Sequence, residues 1–261
     1  MSEQPVLSIK NLKTYFYLEE RVVKAVDGVS LEVYKGRITA IVGGSGSGKS
    51  VMSLSVLDLV DKPGRIIDGE IWLNGVNLRD LREKQLLKIR GKEISMIFQE
   101  STSSMNPVLK VKSHLFEVIR TRNRAIGSKE ALSLFRDVLD RVGLRNTDQI
   151  LESYPFQLSG GMCQRVMVAM GLLAQSKVLI ADEPTSSLDL TTQAAILEEL
   201  IRLKTAGMAI VLITHDLGVV AQMADDVYVL KDGKIVDSGT VYDVFESPQH
   251  EYTKSLLASI F

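Results

Sequence analysis

Residues 43 to 50 read Gly-Gly-Ser-Gly-Ser-Gly-Lys-Ser, with four glycines in six positions ahead of a lysine and a serine. Glycine loses more freedom on folding than any other residue, so such a cluster is costly unless the backbone must come close to something. The run fits G-x-x-x-x-G-K-[ST], in which bared N–H groups cradle phosphates. Gly43, Gly44, Ser45, Gly46, Ser47 and Gly48 would form the cradle. Lys49 would reach the β- and γ-phosphates, and Ser50 would ligate Mg²⁺. A helix expected over Ser50–Val60 would present its positive end to the same anion.

Other groups could serve the same chemistry. In "KVLIADEPT" an apolar run ends in Asp182-Glu183. Asp182 suits a Mg²⁺ ligand, and Glu183 could orient or deprotonate water. Gln99 follows the apolar run "ISMIF" and could bind Mg²⁺ or the attacking water. His215 follows "VLIT" and could hydrogen-bond a γ-phosphate. Phe16, between Tyr15 and Tyr17, could stack on an adenine ring. "LSGGMCQR" (Leu158–Arg165) is a second glycine cluster. Ser159 suits an N-cap, and Gly160 and Gly161 would bare a further set of N–H groups to an anion. Two full cradles exceed what a single phosphate site needs.

The elements that must position these residues follow from patterning. Short alternating runs over Leu7–Leu73 predict an antiparallel sheet. Val108 to about Gln175 is dominated by helix patterns such as "KEALSLFRDVLDRVGL". Continuous apolar runs then alternate with helices, which predicts a parallel sheet covered on both faces. "DVYVLKDGKIVDSG" predicts a hairpin turning at Asp232-Gly233. The chain has 261 residues and a net charge of −1, with pI ≈ 6.3. No basic field points to nucleic acid as a partner. Its one cysteine, Cys163, excludes an internal disulfide and an iron–sulfur cluster. No secretory leader is visible, and the longest apolar runs, such as Met208–Ile213, are too short to span a bilayer. A cytoplasmic enzyme is expected, with any membrane contact made through partners.

The order of these motifs resembles the ATPase subunit of an ABC transporter. It runs from the phosphate loop through a glutamine after a strand, "LSGG", a strand ending in Asp-Glu and "SSLD" to a histidine after a strand. The resemblance implies an α/β P-loop NTPase fold with a parallel-sheet core, an antiparallel β subdomain and an inserted α-helical subdomain. One ATPase domain over 1–261 is expected. Its core would take in about 1–107 and 176–240, a helical signature subdomain 108–175, and a helical tail 241–261. Gly43–Ser50 resembles the Walker A loop, Asp182 the Walker B aspartate and Glu183 the catalytic base. Gln99 resembles the Q-loop residue, His215 the switch histidine and Phe16 the adenine-stacking aromatic. Ser187-Leu188-Asp189 resembles the D-loop. The family pairs two ATPase domains head to tail, which would place Ser159, Gly160 and Gly161 on the nucleotide of a second subunit.

"QESTSSMNP", "YPFQLSGGM", "ADEPTSSLD" and "SPQHEYTKSLL" resemble the peptide, opine and nickel uptake branch more closely. Gly44, where peptide-type subunits often carry glutamate, and "YPF" before the signature favour nickel import within that branch. The resemblance implies ATP and Mg²⁺ as cofactors and a second, non-identical ATPase subunit. Two transmembrane permease subunits and an extracellular or periplasmic solute-binding protein complete the assembly. The chain would sit on the cytoplasmic face of the membrane, driving uptake of a metal chelate or short peptides. Alternatives are an exporter ATPase or a non-transport ATPase of DNA repair or translation. Those are disfavoured by a single P-loop, by the uptake-branch ending and by the absence of sustained heptads between Val51 and Leu158.

Overall fold

Period-two alternation over the first seventy residues does produce an antiparallel sheet. The computed structural model describes residues 4–186 and 188–258, so Ser187 of the D-loop resemblance lies outside the described residues. The first strands are β1 (Leu7–Tyr17), β2 (Val22–Val33) and β3 (Ile38–Val42), followed by helix α1 (Lys49–Val56). Next come β4 (Gly64–Leu73), β5 (Val76–Asn77), a 3₁₀ turn at Leu78–Asp80 and the short α2 (Glu83–Leu86). Strands β2, β1, β4 and β5 lie side by side in that order, antiparallel throughout. Their inward residues Leu7, Ile9, Leu12, Val26, Val29 and Ile71 are buried.

The chain divides into two compact units, residues 1–88 with 209–261 and residues 89–208. The second unit begins with β6 (Ile94–Ile97), α3 (Ser101–Ser104), α4 (Val111–Arg122) and α5 (Ser128–Arg141). It continues with α6 (Thr147–Glu152), a 3₁₀ turn at Pro155–Gln157, α7 (Gly160–Ala174), β7 (Val178–Asp182) and α8 (Leu190–Thr205). The chain then returns to the first unit. There it forms β8 (Ala209–Ile213), α9 (Leu217–Met223), β9 (Asp226–Lys231), β10 (Lys234–Thr240), α10 (Val241–Glu246) and α11 (Glu251–Ala258).

In the first unit the second group of strands runs β10, β9, β3, β8. Strand β3 is parallel to β8 and to β9, while β9 and β10 form an antiparallel hairpin. Every residue of β3 and β8 is buried, as predominantly apolar sequences require; Thr39 is the one polar member. The hairpin turns at Asp232 (φ 48) and Gly233 (φ 77). Left-handed conformations at both central residues are those of a type I′ turn, the connection that matches strand twist. The helix expected over Ser50–Val60 stops instead at Val56. Asp58 turns to φ 52, and the Leu59 N–H returns to the Leu54 carbonyl at 2.9 Å, which ends the helix in a left-handed cap.

In the second unit β6 and β7 pair in parallel, and α3 to α7 lie between them in the chain. Helices α4, α5 and α7 pack around Leu115, Phe135, Leu139 and Val166, all fully buried. The rings of Phe116 and Phe135 meet edge to face, 4.9 Å apart, the arrangement their quadrupoles favour. Glu199 of α8 is a buried carboxylate, 2% exposed. Arg141 of α5 donates to one of its oxygens through Nε at 3.0 Å. Arg202 donates to the other at 2.6 Å. Two guanidinium partners are what make a buried carboxylate tolerable. The polar stretch Gln99–Pro107 contains a helix that its composition does not announce. In α3 the Ser104 hydroxyl donates to the Glu100 carbonyl at 2.7 Å.

Candidate functional site

The first unit carries the glycine-rich loop, which runs from the buried end of β3 into α1. Gly48 precedes α1 with φ 105, and a Cβ there would lie 2.1 Å from the Ala25 carbonyl oxygen of β2. At Gly43 a Cβ would come within 2.2 Å of the Leu230 oxygen and 2.8 Å of Ser47 Oγ. The backbone is therefore wedged between β2 and the β9–β10 hairpin, with no room for a side chain. The hairpin turn completes the clamp. Gly233 N–H donates to the Ser47 carbonyl at 2.9 Å, and Asp27 N–H donates to the Gly233 carbonyl at 2.8 Å. At Gly46, by contrast, a Cβ would meet nothing within 4 Å, so the loop is tight at its ends and open at its crown. Lys49, 8% exposed, folds back over the loop. Its Nζ donates to the carbonyls of Gly43 (2.8 Å) and Gly44 (2.9 Å) and to Ser47 Oγ (3.3 Å).

The pairing of β3 with β8 brings a second residue to the same edge. Ile41 stands opposite Ile213 in a parallel ladder, so the chain leaves both strands at one end. The loop leaves from β3, and Thr214 and the exposed His215 leave from β8. Asp216 then caps α9, accepting from the Val219 N–H at 3.1 Å. Phe16 lies on β1, opposite Val23 of β2 and Gly64 of β4. Val23 is two residues from Ala25, the residue against which Gly48 packs. Beside it the Tyr15 hydroxyl donates to Asp27 at 2.5 Å. That bond holds the phenol proton and pushes its pKa up to about 12.

The second unit repeats the device. Ile97 of β6 stands opposite Ala181 of β7, so Gln99 and the Asp182-Glu183 pair emerge at one end of this parallel pair. Asp182 is the last residue of β7 and only 2% exposed. Glu183 adopts φ 47, a left-handed conformation that non-glycine residues seldom hold without outside support. The support comes from α7 and the following turn. Gln164 Nε2 donates to the carbonyls of Glu183 (3.3 Å) and Pro184 (3.1 Å), and the Ser186 hydroxyl donates to the Glu183 carbonyl at 3.0 Å.

Ser159 caps α7, its hydroxyl accepting from the Met162 N–H at 3.3 Å. Ser159 and Gly160 are exposed, so the helix start faces outward. A recess of about 400 Å³ joins Gln99, Glu100 and Ser101–Ser103 to Gly160, Gln164 and Ser186. The segment after β6, the start of α7 and the turn after β7 thus meet in one concavity. Asp189 caps α8 with both oxygens, accepting from the Thr192 N–H (3.0 Å) and hydroxyl (2.7 Å). Those bonds hold its carboxyl below the usual range. Cys163 is fully buried, its thiol donating to the Pro155 carbonyl at 3.4 Å. Burial pushes its pKa up, opposed in part by a hydrogen bond from Thr102.

Sequence reasoning missed two residues that the structure brings to these elements. Gln164 lies within the "LSGGMCQR" stretch, but no local signal marks it as the donor to the Glu183 and Pro184 carbonyls. Tyr252 belongs to the expected helical tail, yet its hydroxyl accepts from the Gly44 N–H at 2.7 Å. No local pattern could have paired residues 208 positions apart.

A glycine-clamped loop between a buried parallel strand and a helix defines a P-loop nucleoside triphosphatase fold, here with an antiparallel sheet and a helix-rich second unit. The family model for ABC transporters matches residues 26–186, more than half of the chain, and the chain belongs to that family. It is an ATP-binding, ATP-hydrolysing member. The oligopeptide transport ATP-binding protein AppD of Bacillus subtilis is 46% identical over 98% of this chain and 78% of its own length. The dipeptide transport ATP-binding protein DppD of Lactococcus lactis is 42% identical over 100% of this chain and 75% of its own. Among solved structures, a dimeric ATP-binding cassette in a post-hydrolysis state, bound to ADP and Pi, superposes with a TM-score of 0.82. It is 28% identical, over 90% of this chain and 98% of that one.

The clamp at Gly48 yields a test. Gly48→Ala must push the loop away from Ala25 and adopt a strained φ, a cost of about 1–3 kcal/mol. ATP affinity measured by calorimetry is expected to fall at least about tenfold, with a lower melting temperature. Unchanged affinity would mean that the loop does not hold the nucleotide.

Proposed function

We propose that this chain is the ATP-hydrolysing subunit of an importer for short peptides. The observation that carries the cargo is the relatedness to proteins named for oligopeptide and dipeptide transport, at 46% and 42% identity over nearly the whole chain. The features that favour nickel, Gly44 and "YPF", are weaker. Gly44 belongs to the loop and its N–H faces Tyr252 of the same chain, so it touches no cargo. No helix among the described residues is long and apolar enough to cross a membrane. The reading therefore assigns translocation to separate permease subunits, fed by a solute-binding protein outside. The ATPase would sit on the inner membrane face.

The loop 43–50 would hold the phosphates through its N–H groups and Lys49, with Phe16 against the base. Mg²⁺ would be held by Ser50, Asp182 and Gln99. A hydroxyl, a buried carboxylate and an amide oxygen are hard oxygen donors, the set this ion prefers. When bound, the ion would neutralise charge on the β- and γ-phosphates. Glu183 would accept the proton of the attacking water as its oxygen bonds to the γ-phosphorus and the bond to ADP breaks. His215 would hydrogen-bond the γ-phosphate. The exposed Ser159 and Gly160 and the half-buried Gly161, with Asp189, would meet the nucleotide of a paired, non-identical ATPase subunit. The stretch Gln99–Pro107 would link hydrolysis to the permease. In this reading residues 1–261 are one ATPase domain, with the helical segment about 108–175 inserted in its core.

Two variants separate binding from chemistry. Lys49→Ala is expected to weaken MgATP binding by about tenfold or more. Glu183→Gln, which keeps the shape but removes the base, is expected to bind ATP normally and to lower turnover about a hundredfold. Turnover within a factor of about three of wild type would remove Glu183 from that role. Cargo is decided with vesicles holding the whole transporter and its binding protein, offered a labelled short peptide or labelled nickel. Peptide-stimulated ATP turnover is expected, and a response to nickel alone would overturn the peptide assignment.

A further inference from the structure

The segment from Ser247 to Ala258 is fastened to the same hairpin that clamps the glycine-rich loop. Asp237 of β10 accepts from the N–H groups of Gln249 (2.9 Å) and His250 (3.1 Å) through one carboxylate oxygen. Its other oxygen accepts from the Ser238 N–H at 3.1 Å. His250 Nδ1 accepts from the Tyr252 N–H at 3.0 Å, which fixes the first turn of α11. Thr253 is 2% exposed, so the helix is seated rather than loosely laid on the surface. Lys231, the last residue of β9, holds its ammonium 4.8 Å from the centre of the Tyr252 ring. These contacts aim the Tyr252 hydroxyl at the loop, where it accepts from the Gly44 N–H at 2.7 Å. A Cβ at Gly44 would lie 3.0 Å from that hydroxyl, so the fit is close.

The Gly44 N–H is turned toward the tail and is spent on the tyrosine. The loop is thereby held at two points, Gly44 by Tyr252 and Ser47 by the Gly233 N–H. Lys49 bridges the same stretch by donating to the Gly43 and Gly44 carbonyls. We propose that Tyr252 is a positioning residue for nucleotide binding. It acts through Gly44 to hold the first half of the loop, so that α11 sets the affinity for ATP. The proposal rests on the reading of residues 43–50 as the phosphate loop. It adds a control element outside every motif assigned to the nucleotide. Because Tyr252 stands away from the open crown at Gly46, its loss should disturb binding and not the chemical step.

The test is a double-mutant cycle on the full chain. ATP affinity is read by calorimetry, and KM and kcat for ATP are read in the assembled transporter. Tyr252→Phe removes the hydroxyl and keeps the ring beneath Lys231. Loss of one net hydrogen bond corresponds to about a two- to tenfold change. ATP affinity is expected to weaken, and KM to rise, within that range while kcat holds. Gly44→Ala sets a methyl against the hydroxyl and is expected to weaken binding in the wild-type background. In the Tyr252→Phe background it should add little, because its steric opponent is gone. Tyr252→Phe with unaltered affinity, independent multiplying losses in the double variant, or a fall in kcat at constant KM would each overturn the proposal. Wild-type protein that fails to bind ATP would overturn the loop reading and this proposal together.

Discussion

Close backbone approach around the glycine-rich loop is the constraint on which the first unit depends. Gly48 against Ala25, Gly43 against Leu230 and Gly233 against Lys24 and Ala25 leave distances that no Cβ could occupy. Three separate pieces of chain meet there: β2, the loop and the β9–β10 turn. Each is fixed by the other two, through the Ser47–Gly233 and Gly233–Asp27 backbone bonds. A loop held this way has little conformational freedom left to lose when it takes up an anion, which is the general benefit of preorganisation.

The second unit solves a related problem by different means. Its glutamate, Glu183, sits in a left-handed conformation that glycine would adopt without cost. The strain at Glu183 is offset by carbonyl contacts from Gln164 and Ser186. Gln164 lies one turn into the helix that Ser159 caps, so movement of that helix start bears directly on the peptide carrying the glutamate. The recess beside it, bordered by Gln99 and Gly160, brings two further motif residues to the same place. In both units the candidate residues follow the carboxyl ends of parallel strands, where ligands bind in open α/β sheets.

Much of this was legible in the chain itself. The buried strand β8 is an unbroken apolar run, β3 is broken only by Thr39 and β7 only by its closing Asp182, the Asp-Gly turn announces the β9–β10 hairpin, and Ser159 is a plain helix cap. These are signals carried by a few adjacent residues. What escaped notice was either local competition or long-range contact. The first helix ends four residues early because Asp58 takes a left-handed cap, where apolar periodicity favoured continuation. Helix α3 is made of serines and a threonine, residues that compete for backbone bonds and so read as loop. The roles of Gln164 and Tyr252 depend on partners far along the chain and leave no periodic trace.

The single cysteine has a consequence of its own. Cys163 is wholly enclosed, and burial keeps it in the thiol form that neither alkylating reagents nor peroxide attack readily. The start of α7, where Ser159 and Gly160 are exposed, carries its sulfur on the inward side. The protein presents no native reactive thiol among its described residues. A cysteine introduced on an outer surface would be the sole site of attachment for a spectroscopic label, and the native residue could stay in place while it was used.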